Sequence, residues 1–425
     1  MDMESVIRMD SASIKYGPGA TREVGSDMAD LGVTRVMVVT DRNLAEMEAV
    51  KVTLNALANA GLDPVLYSDV RIEPTDASLR AAIDFAVEGR FDGFVGVGGG
   101  SSMDTAKVAN LYSTYPADFL TYVNAPVGLG TPVPGPLKPL ICIPTTAGTG
   151  SEVTSVAIFD FVEMHAKTGI AHRHLRPVLG IVDPENTRTM PGMVAACTGF
   201  DILAHALECF TAVPYSQRQA PENPGLRPAY QGSNPLSDIW AAKAIEMAGS
   251  NIIRAVKDPS DMEARSRMIL AATLAGIGFA NAGTHLGHGM SYPVSGMARG
   301  YIPEGYSPDH PIVPHGMAVI LTAPALYRFT APTAPQRHLE AARLAGADTT
   351  DCSPDDGGDL LADRLVSLMK QAGIPNGLSA VEFTEKDVDK LVEGTLPQQR
   401  VTRLSPRPFT PEDLRQLFLD SLVCW

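Results

Sequence analysis

Two short stretches in the second half of the chain carry carboxylate and imidazole side chains at spacings that suit a metal ion. Asp201 and His205 are four residues apart, so on a helix both side chains would lie on one face, one turn apart. His285, His288 and His315 follow downstream. Oxygen and nitrogen donors without a thiolate suit Fe(II), Zn(II) or Mn(II) rather than a structural zinc site. Because an isolated Asp-x-x-x-His pair is more often a solvated pair or a core contact, this prediction depends on support from the rest of the chain.

Length, charge and cysteine usage limit the classes of protein to consider. A chain of 425 residues with a net charge of −14 favours two or three domains and disfavours nucleic acid and anionic membranes as partners. We find no apolar run long enough to cross a membrane, and the N-terminal residues have neither the cationic nor the apolar region of a secretory signal. The five cysteines are scattered and include no C-x-x-C pair, which predicts reduced thiols in a cytoplasmic protein.

The first half of the chain alternates short apolar runs with helical periodicity. Runs rich in β-branched residues predict strands at 35–40, 64–67, 94–97, 139–144 and 178–183, with helical patterns between several of them. This alternation is typical of a parallel sheet covered on both faces. Such a sheet binds ligands at the carboxyl ends of its strands. We therefore predict a Rossmann-like α/β domain over residues 1–186.

Three stretches at the predicted strand ends have groups that could bind a dinucleotide. Three glycines and two serines at 98–102 follow a strand and open a helix, so backbone N–H groups and the helix dipole could bind a pyrophosphate. The run matches neither G-x-G-x-x-G nor a Walker loop, and a plain tight turn is an equal alternative. The hydroxyl-rich loop 144–152 could donate to phosphate or ribose. Asp41 could accept from the adenosine ribose hydroxyls and favour NAD over NADP, or act as a helix N-cap.

The second half of the chain has helical periodicity and few strand signals. We predict an all-helical domain over residues 187–425, with helices at 193–210, 240–256, 264–279, 318–329, 360–372 and 412–422. Two polar insertions interrupt this pattern, at 213–238 and 296–311. Long loops in a compact helical domain are usually functional or disordered.

In combination, these motifs resemble those of the iron-containing (group III) alcohol dehydrogenases. The resemblance runs over essentially the whole chain, and the motifs occur in the family's order: 98–101 with Asp104, 144–152, Asp201 with His205, and 314–316. Within the family, the chain is most similar to the hydroxyacid–oxoacid transhydrogenase branch, through the stretches 227–235, 288–293, 309–311 and 394–398. The resemblance implies a dehydroquinate synthase-like fold with an α/β NAD-binding domain and an all-α domain.

The resemblance also implies a divalent metal, Fe(II) first and Zn(II) or Mn(II) as alternatives, held by one aspartate and three histidines. Asp201, His205 and His315 match three family ligands. Counting forward from the Asn-Ala at 281–282 favours His288 over His285 as the remaining ligand. Many family members carry another histidine four residues later, where this chain has Tyr292. Because the reference pKa of tyrosine is about 10, Tyr292 would be a poorer base at neutral pH than a histidine. The sequence therefore does not assign the group that carries the proton.

The cofactor implied by the resemblance is NAD. Lys167 stands at the spacing of a family lysine near the cofactor, although an ordinary exposed lysine is the alternative. The residues that we predict to bind NAD lie at the strand ends and in the two loops that follow them: Asp41, Gly98, Gly99, Gly100, Ser101, Ser102, Asp104, Thr145, Thr146, Thr149, Ser151 and Lys167.

Several remaining residues have weaker assignments. His310 is a candidate to replace the missing proton carrier, although a surface histidine is the simpler interpretation. A carboxylate substrate requires a cation, and Arg227 and Arg299 in the two insertions are the candidates. The histidines that match no ligand position are assigned structural roles: His165, His172, His174 and His338.

The resemblance implies an enzyme that transfers hydride between NAD and a short-chain alcohol such as 4-hydroxybutyrate. In the alternative, NAD stays tightly bound and shuttles hydride between a hydroxy acid and an oxo acid such as 2-oxoglutarate. A non-catalytic NAD-binding protein is the alternative from another class. The expected partners are these small molecules and further copies of the chain in a homo-oligomer, a dimer or larger, with no nucleic acid and no membrane.

Overall fold

The computed structural model describes residues 3–162, 166–306, 308 and 310–425, and these residues form two compact units. A sheet unit comprises Ser11–Thr189, and a helical unit comprises Met190–Trp425 together with residues 3–10. The N-terminal residues join the helical unit because Glu4 N–H donates to the Arg218 carbonyl (2.8 Å) and Asp10 N–H donates to Asn281 Oδ1 (2.9 Å). This grouping is not evident from the sequence, and the predicted division between residues 186 and 187 stays a prediction.

The sheet unit is built on six parallel strands, as predicted for an α/β domain. The strands of this unit are β1 (Ser13–Tyr16), β2 (Arg35–Asp41), β3 (Asp63–Val70), β4 (Gly93–Gly98), β5 (Leu140–Pro144), β6 (Val156–Phe161), β7 (Ala166–Ala171) and β8 (Leu179–Val182). The order in the parallel sheet is β1-β8-β5-β4-β2-β3, and β6 and β7 form a separate antiparallel hairpin. The helices of this unit are α1 (Val24–Asp30), α2 (Glu48–Asn59), α3 (Asp76–Gly89) and α4 (Gly100–Thr114).

Side-chain alternation along the strands divides the core of the sheet unit into two layers. In β2, Val36 and Val38 pack with residues of α1 and α2 on one face, while Met37 and Val39 pack with α3 and α4 on the other. All four side chains are fully buried. Successive side chains of a strand point to opposite faces, so a continuous apolar run indicates a strand covered on both sides.

The helical unit contains the remaining helices. They are α5 (Gly192–Thr211), α6 (Pro235–Lys257), α7 (Met262–Ala282), α8 (Leu286–Gly296), α9 (His315–Ile320), α10 (Ala323–Thr330), α11 (Pro335–Leu344), α12 (Gly357–Ala372), α13 (Val388–Thr395), α14 (Gln399–Thr402) and α15 (Pro411–Asp420). The helix predicted at 318–329 is in fact two, α9 and α10, which Leu321 and Thr322 separate. The predicted insertions correspond to the segments between α5 and α6 and between α8 and α9.

Helix α5 is more apolar than we expected. Among the described residues it is long and apolar enough to cross a membrane, and α7 and α8 would together form a second span if their 109° bend is disregarded. The prediction that no run reaches this length is therefore wrong. Because 83 % of the apolar window of α5 is buried inside the protein, this composition is typical of the core helix of a soluble protein, with polar residues only where the fold encloses them.

Candidate functional site

Helix α5 directs three ionisable side chains into the interior of the helical unit. Asp201, His205 and Glu208 lie at positions i, i+4 and i+7, which is one face of a helix, and all three are buried. The ring of Phe279, near the end of α7, stacks on the His205 imidazole with centroids 4.1 Å apart and an interplanar angle of 9°. This apolar contact fixes the ring and shields one of its faces from water.

A sharp bend between α7 and α8 brings further histidines to the same region. Gly283 makes this bend with φ +97°, a conformation that residues with a side chain rarely adopt. A Cβ on Gly283 would also lie 2.5 Å from Leu404 Cδ1. His288 lies in the first turn of α8, and His315 is the first residue of α9, directly after Pro314.

The structure gathers Asp201, His205, His288 and His315 into one cluster, in which one ligand atom from each residue lies within 4.8 Å of the others. His205 Nδ1, His315 Nε2 and His288 Nε2 lie 3.5, 3.7 and 4.0 Å from Asp201 Oδ1. Ligands at the usual metal distance of about 2.1 Å are roughly 3.4 Å apart in a tetrahedral site. The cluster therefore has the size that a divalent ion requires, after small side-chain adjustments.

The chemistry of the four donors also fits a cation. Within the described part of the chain, His205 Nδ1 and His288 Nε2 are buried and have no hydrogen-bond partner. Burial, followed by the proximity of His288 and His315, lowers the pKa of His205 well below its usual value, so this imidazole is neutral and has a free lone pair. A buried polar atom without a partner is destabilising, and coordination of a metal would remove that cost at both nitrogens.

Glu208, to which the sequence analysis gives no role, holds His288 in place. Its carboxylate accepts from His288 Nδ1 at 2.7 Å and from the backbone N–H groups of His285 and His288. Burial opposes ionisation of Glu208, but His288 and His285 outweigh it and lower the pKa of Glu208 to about 2. The ionised carboxylate can only accept, so the proton of His288 is on Nδ1 and Nε2 faces the cluster.

Of the two histidines left open by the sequence, the structure places His288 in the cluster and His285 outside it. His285 Nε2 lies 3.0 Å from the Thr211 hydroxyl. Burial lowers the pKa of His285 to about 4, so this imidazole is neutral in the folded protein. Its position next to Glu208 indicates a supporting role.

Tyr292 lies one helical turn after His288 and borders the cluster. Its ring stacks against the His315 ring with centroids 6.2 Å apart, and its buried hydroxyl accepts a hydrogen bond from Arg400 Nη2 at 3.2 Å. Tyr292 therefore lies beside the cluster, where a residue that carries the proton would have to lie. The Arg400 contact is not evident from the sequence, because 108 residues separate the two side chains.

The remaining histidines do not contribute to the cluster where the structure describes them. His338 Nδ1 donates to the Ala334 carbonyl (2.9 Å), and its Nε2 lies 2.8 Å from the Thr330 hydroxyl. The rings of His172 and His174 contact each other, with centroids 5.0 Å apart. His165 lies outside the described residues, as does Asp309 in the stretch 309–311.

The two loops predicted to bind the cofactor lie side by side in the sheet unit. β4 and β5 are parallel neighbours with Gly98 opposite Pro144, so both loops leave the same edge of the sheet. Gly98 has φ +151°, and a Cβ on Gly100 would lie 2.8 Å from Thr149 Cγ2. Thr146 also lies near the glycine turn, since its hydroxyl is 3.5 Å from the Cβ position of Gly99.

Asp104, on α4, and Ser151, in the loop after β5, connect these two loops through hydrogen bonds. The Ser151 hydroxyl donates to Asp104 Oδ1 at 2.6 Å, and the Ile158 N–H donates to Asp104 Oδ2 at 2.9 Å. The fully buried ammonium of Lys107 donates to Ser151 Oγ (2.6 Å) and to the Val156 carbonyl (2.8 Å), and lies 3.3 Å from Asp104 Oδ1. These contacts fix the shape of the two loops and engage the side chains of Asp104 and Ser151 within the protein.

Asp41 and Lys167 occupy positions that the sequence only partly predicts. Asp41 ends β2 and accepts from the Asn43 N–H (2.9 Å), but α2 begins at Glu48 with Met47 as its N-cap. The predicted capping of that helix is therefore wrong, because a turn intervenes. Lys167 is buried rather than exposed and pairs with Glu73 and Asp160. Burial alone would lower the pKa of Lys167, but the two carboxylates outweigh it and raise that pKa.

Comparisons with known proteins agree with the geometry. The family profile described as "Iron-containing alcohol dehydrogenase" matches residues 11–184, and the one described as "Fe-containing alcohol dehydrogenase family, C-terminal" matches residues 229–422. "Hydroxyacid-oxoacid transhydrogenase, mitochondrial" of Mus musculus is 52 % identical over 413 residues, which cover 97 % of this chain and 89 % of that protein. The human protein of the same name is 51 % identical over 413 residues, with 97 % and 88 % covered.

Solved structures with similar folds include several dehydrogenases and reductases. One described as 1,3-propanediol oxidoreductase has a TM-score of 0.86 at 26 % identity and covers 98 % of this chain and 100 % of that one. A sulfoacetaldehyde reductase from Bifidobacterium kashiwanohense, solved in complex with NAD+, has a TM-score of 0.80 at 25 % identity, with 98 % of each chain covered. These similarities confirm the predicted fold class.

The prediction of a cytoplasmic location is wrong. The names of the similar curated proteins from Mus musculus, Bos taurus and Homo sapiens all include the word mitochondrial. The described cysteines are all free thiols, and this state suits any reducing compartment. Cysteine usage and charge therefore could not distinguish the cytosol from a mitochondrial location.

Proposed function

The chain belongs to the iron-containing alcohol dehydrogenase family and is an oxidoreductase, and we propose that it transfers hydride from a short hydroxy acid to an oxo acid through bound NAD. The observation that carries this proposal is the cluster of one carboxylate and three imidazoles, of which only His315 is partly exposed. The choice of substrates is supported by relatives named hydroxyacid-oxoacid transhydrogenase, at 51–52 % identity over 97 % of the chain.

In this proposal, Asp201, His205, His288 and His315 hold one divalent metal ion, Fe(II) first and Zn(II) or Mn(II) as alternatives. Such an ion, when bound, acts as a Lewis acid on the oxygen of the substrate, while NAD supplies the redox chemistry. The protein residues position and shield this site. Asp201 supplies a negative charge, Glu208 orients His288, and Phe279 keeps water from one face of His205.

The NAD site that we propose lies at the carboxyl edge of the sheet unit. The pyrophosphate would bind the glycine turn 98–100 and the N–H groups that open α4, with Ser101 and Ser102 beside it. Thr145, Thr146 and Thr149 present hydroxyls from the neighbouring loop. Asp41 would accept from the adenosine ribose hydroxyls, which favours NAD over NADP. Asp104, Ser151 and Lys167 would support these loops through the contacts described above. The expected homo-oligomer stays a prediction.

The proposal is tested by measuring the metal and nucleotide content of the purified protein and then its turnover. With 4-hydroxybutyrate and excess NAD alone, a transhydrogenase forms NADH in a single turnover and stops. Addition of 2-oxoglutarate should then start continuous formation of succinate semialdehyde. The absence of a stoichiometric divalent ion, or of turnover with any pair of hydroxy acid and oxo acid, would overturn the proposal.

A second candidate is an NAD-dependent alcohol dehydrogenase that releases NADH in each cycle. The solved relatives described as oxidoreductases and alcohol dehydrogenases favour it, as does the structure of one relative with NAD+. In the same assay this enzyme would form NADH continuously without an oxo acid. A non-catalytic NAD-binding protein is disfavoured because all four predicted metal ligands are retained and lie together.

Replacement of Glu208 is expected to lower the affinity for the metal strongly and to lower the thermal stability only slightly. Glu208→Gln keeps one acceptor for His288 Nδ1 but loses the charge and an acceptor for the backbone N–H groups, and loss of such an outer partner typically lowers metal affinity about 10- to 100-fold. Competition with a chelator measures the affinity, and thermal unfolding reports the fold. Glu263→Gln, an exposed change near the start of α7, is the control. Equal affinity in the two variants would remove Glu208 from this role.

A further inference from the structure

Arg400, on the short helix α14, has an unusual environment in the helical unit. Its Nη2 donates to the Tyr292 hydroxyl at 3.2 Å, and its Cζ lies 5.0 Å from the centre of the Tyr230 ring. Its Nη1 is buried and has no hydrogen-bond partner among the described residues. A guanidinium has five N–H donors and a permanent charge. The Tyr230 ring and the Tyr292 hydroxyl therefore satisfy only part of the hydrogen-bonding capacity of Arg400.

Several other arginines of the helical unit are paired with carboxylates, whereas Arg364 and Arg407 donate to backbone carbonyls. Arg227 pairs with Glu4, Arg299 with Asp387 and Arg337 with Asp238. No carboxylate of the described residues lies within ion-pairing distance of Arg400. A charge that is partly removed from water and has no counter-ion is unfavourable, so an anion would complete the site at Arg400. Arg227 and Arg299, the candidates from the sequence, have charges that are already neutralised.

A second cation makes the same region more favourable to an anion. Partial burial and the positive charge of Arg400 lower the pKa of Arg403. The two guanidiniums thus repel each other, and a negative ligand between or beside them would relieve this repulsion. No such ligand is supplied by the described side chains.

The site lies next to the metal cluster because α14 packs closely on α8. A Cβ on Gly289 would lie 2.4 Å from Thr402 Cγ2, so the absence of a side chain at Gly289 allows this approach. Gly289 adjoins His288 and lies three residues before Tyr292. The same contact that brings α14 onto α8 therefore sets Arg400 against Tyr292, whose ring stacks on His315.

We propose that Arg400 binds the carboxylate of the substrate, beside the Tyr292 hydroxyl, while the reacting oxygen at the other end of the molecule faces the four-residue cluster. This inference rests on the proposed function and names the residue that selects hydroxy acids and oxo acids over uncharged alcohols. Nη1 supplies the free donor for the carboxylate, and the planar fork suits two parallel hydrogen bonds. The hydroxy acid that gives up hydride and the oxo acid that receives it both carry a carboxylate. Arg400 would therefore bind each of them in turn.

The test compares Arg400→Gln with the unchanged protein, both containing metal and NAD. Reduction of bound NAD in the first turnover is measured against the concentration of 4-hydroxybutyrate and of uncharged 1-butanol. The half-saturating concentration of 4-hydroxybutyrate should rise about 10- to 100-fold, as expected for loss of a charge-assisted hydrogen bond, and that of 1-butanol by less than about threefold. Arg400→Lys keeps the charge but not the fork, and should recover only part of the loss.

Arg343→Gln on α11 is the matched control, since it removes an exposed guanidinium that pairs with Glu340 and leaves the bond between Arg400 and Tyr292 in place. A rise of the same size for both alcohols in Arg400→Gln would overturn the assignment and leave the proposed function standing. If the unchanged protein oxidises 1-butanol but no hydroxy acid, the proposed function fails, and Arg400 is judged by calorimetric binding of glutarate. Loss of that binding in Arg400→Gln supports the anion site, whereas equal binding, or none to either protein, overturns it.

Discussion

His288→Ala is expected to abolish stoichiometric metal binding and to lower kcat/KM by about 1,000-fold or more. The second nitrogen of His288 is held by the Glu208 carboxylate, so the loss of His288 removes one proposed metal donor and leaves Glu208 buried beside a cavity. A bound metal typically supplies several kcal/mol of transition-state stabilisation, and each 1.36 kcal/mol corresponds to about tenfold in rate. Elemental analysis of the dialysed protein and steady-state kinetics measure the two effects.

The control for this prediction is His285→Gln, three residues earlier in the chain. His285 is as deeply buried as His288 but contacts Thr211 rather than the cluster. This variant should keep its metal and most of its activity, although loss of a buried contact lowers its thermal stability. If His285→Gln loses the metal and His288→Ala keeps it, the assignment of the ligand is reversed. If both keep it, the cluster is not the metal site.

The parts of this protein that could be predicted from sequence are those with a local signal. The run 35–40 predicts β2 because its β-branched residues are buried on both faces, and the apolar run 193–210 predicts α5 with Asp201 and His205 on one face. Glu208 lies on the same helix face, seven residues after Asp201. This spacing alone could have predicted that its carboxylate lies near the cluster. Strand β1 gave little signal because most of its residues are exposed at the edge of the sheet.

The parts that could not be predicted depend on contacts between distant residues. Helix α8 carries His288 and Tyr292, yet it contains Gly287, Gly289 and Pro293, which disfavour helix formation in isolation. Packing against α13 and α14 in the folded chain overrides that preference. The contact of Arg400 with Tyr292 and the burial of Lys167 against Glu73 and Asp160 have no local signal, because the partners come from different segments.

Asp104→Ala is expected to lower the free energy of unfolding of the sheet unit by about 3–5 kcal/mol, the usual result of removing one partner of a buried charge pair. The variant leaves the fully buried Lys107 ammonium with only neutral acceptors and leaves the Ile158 N–H without its acceptor. The loop that carries Thr149 and Ser151 also loses its anchor, so NAD affinity should fall. Urea unfolding and calorimetric titration with NAD measure the two losses.

A double replacement separates the charge from the shape of this contact. In Asp104→Asn with Lys107→Met, both buried charges are absent and the volume is nearly kept, so most of the lost stability should return even though no ion pair remains. Asp84→Ala, an exposed change on α3, should stay within about 0.5 kcal/mol of the unchanged protein. If the double variant is no more stable than Asp104→Ala, the buried ammonium is not the cause of the loss. The loss of the hydrogen bonds that Asp104 accepts from Ser151 and Ile158 would then account for the lower stability of Asp104→Ala.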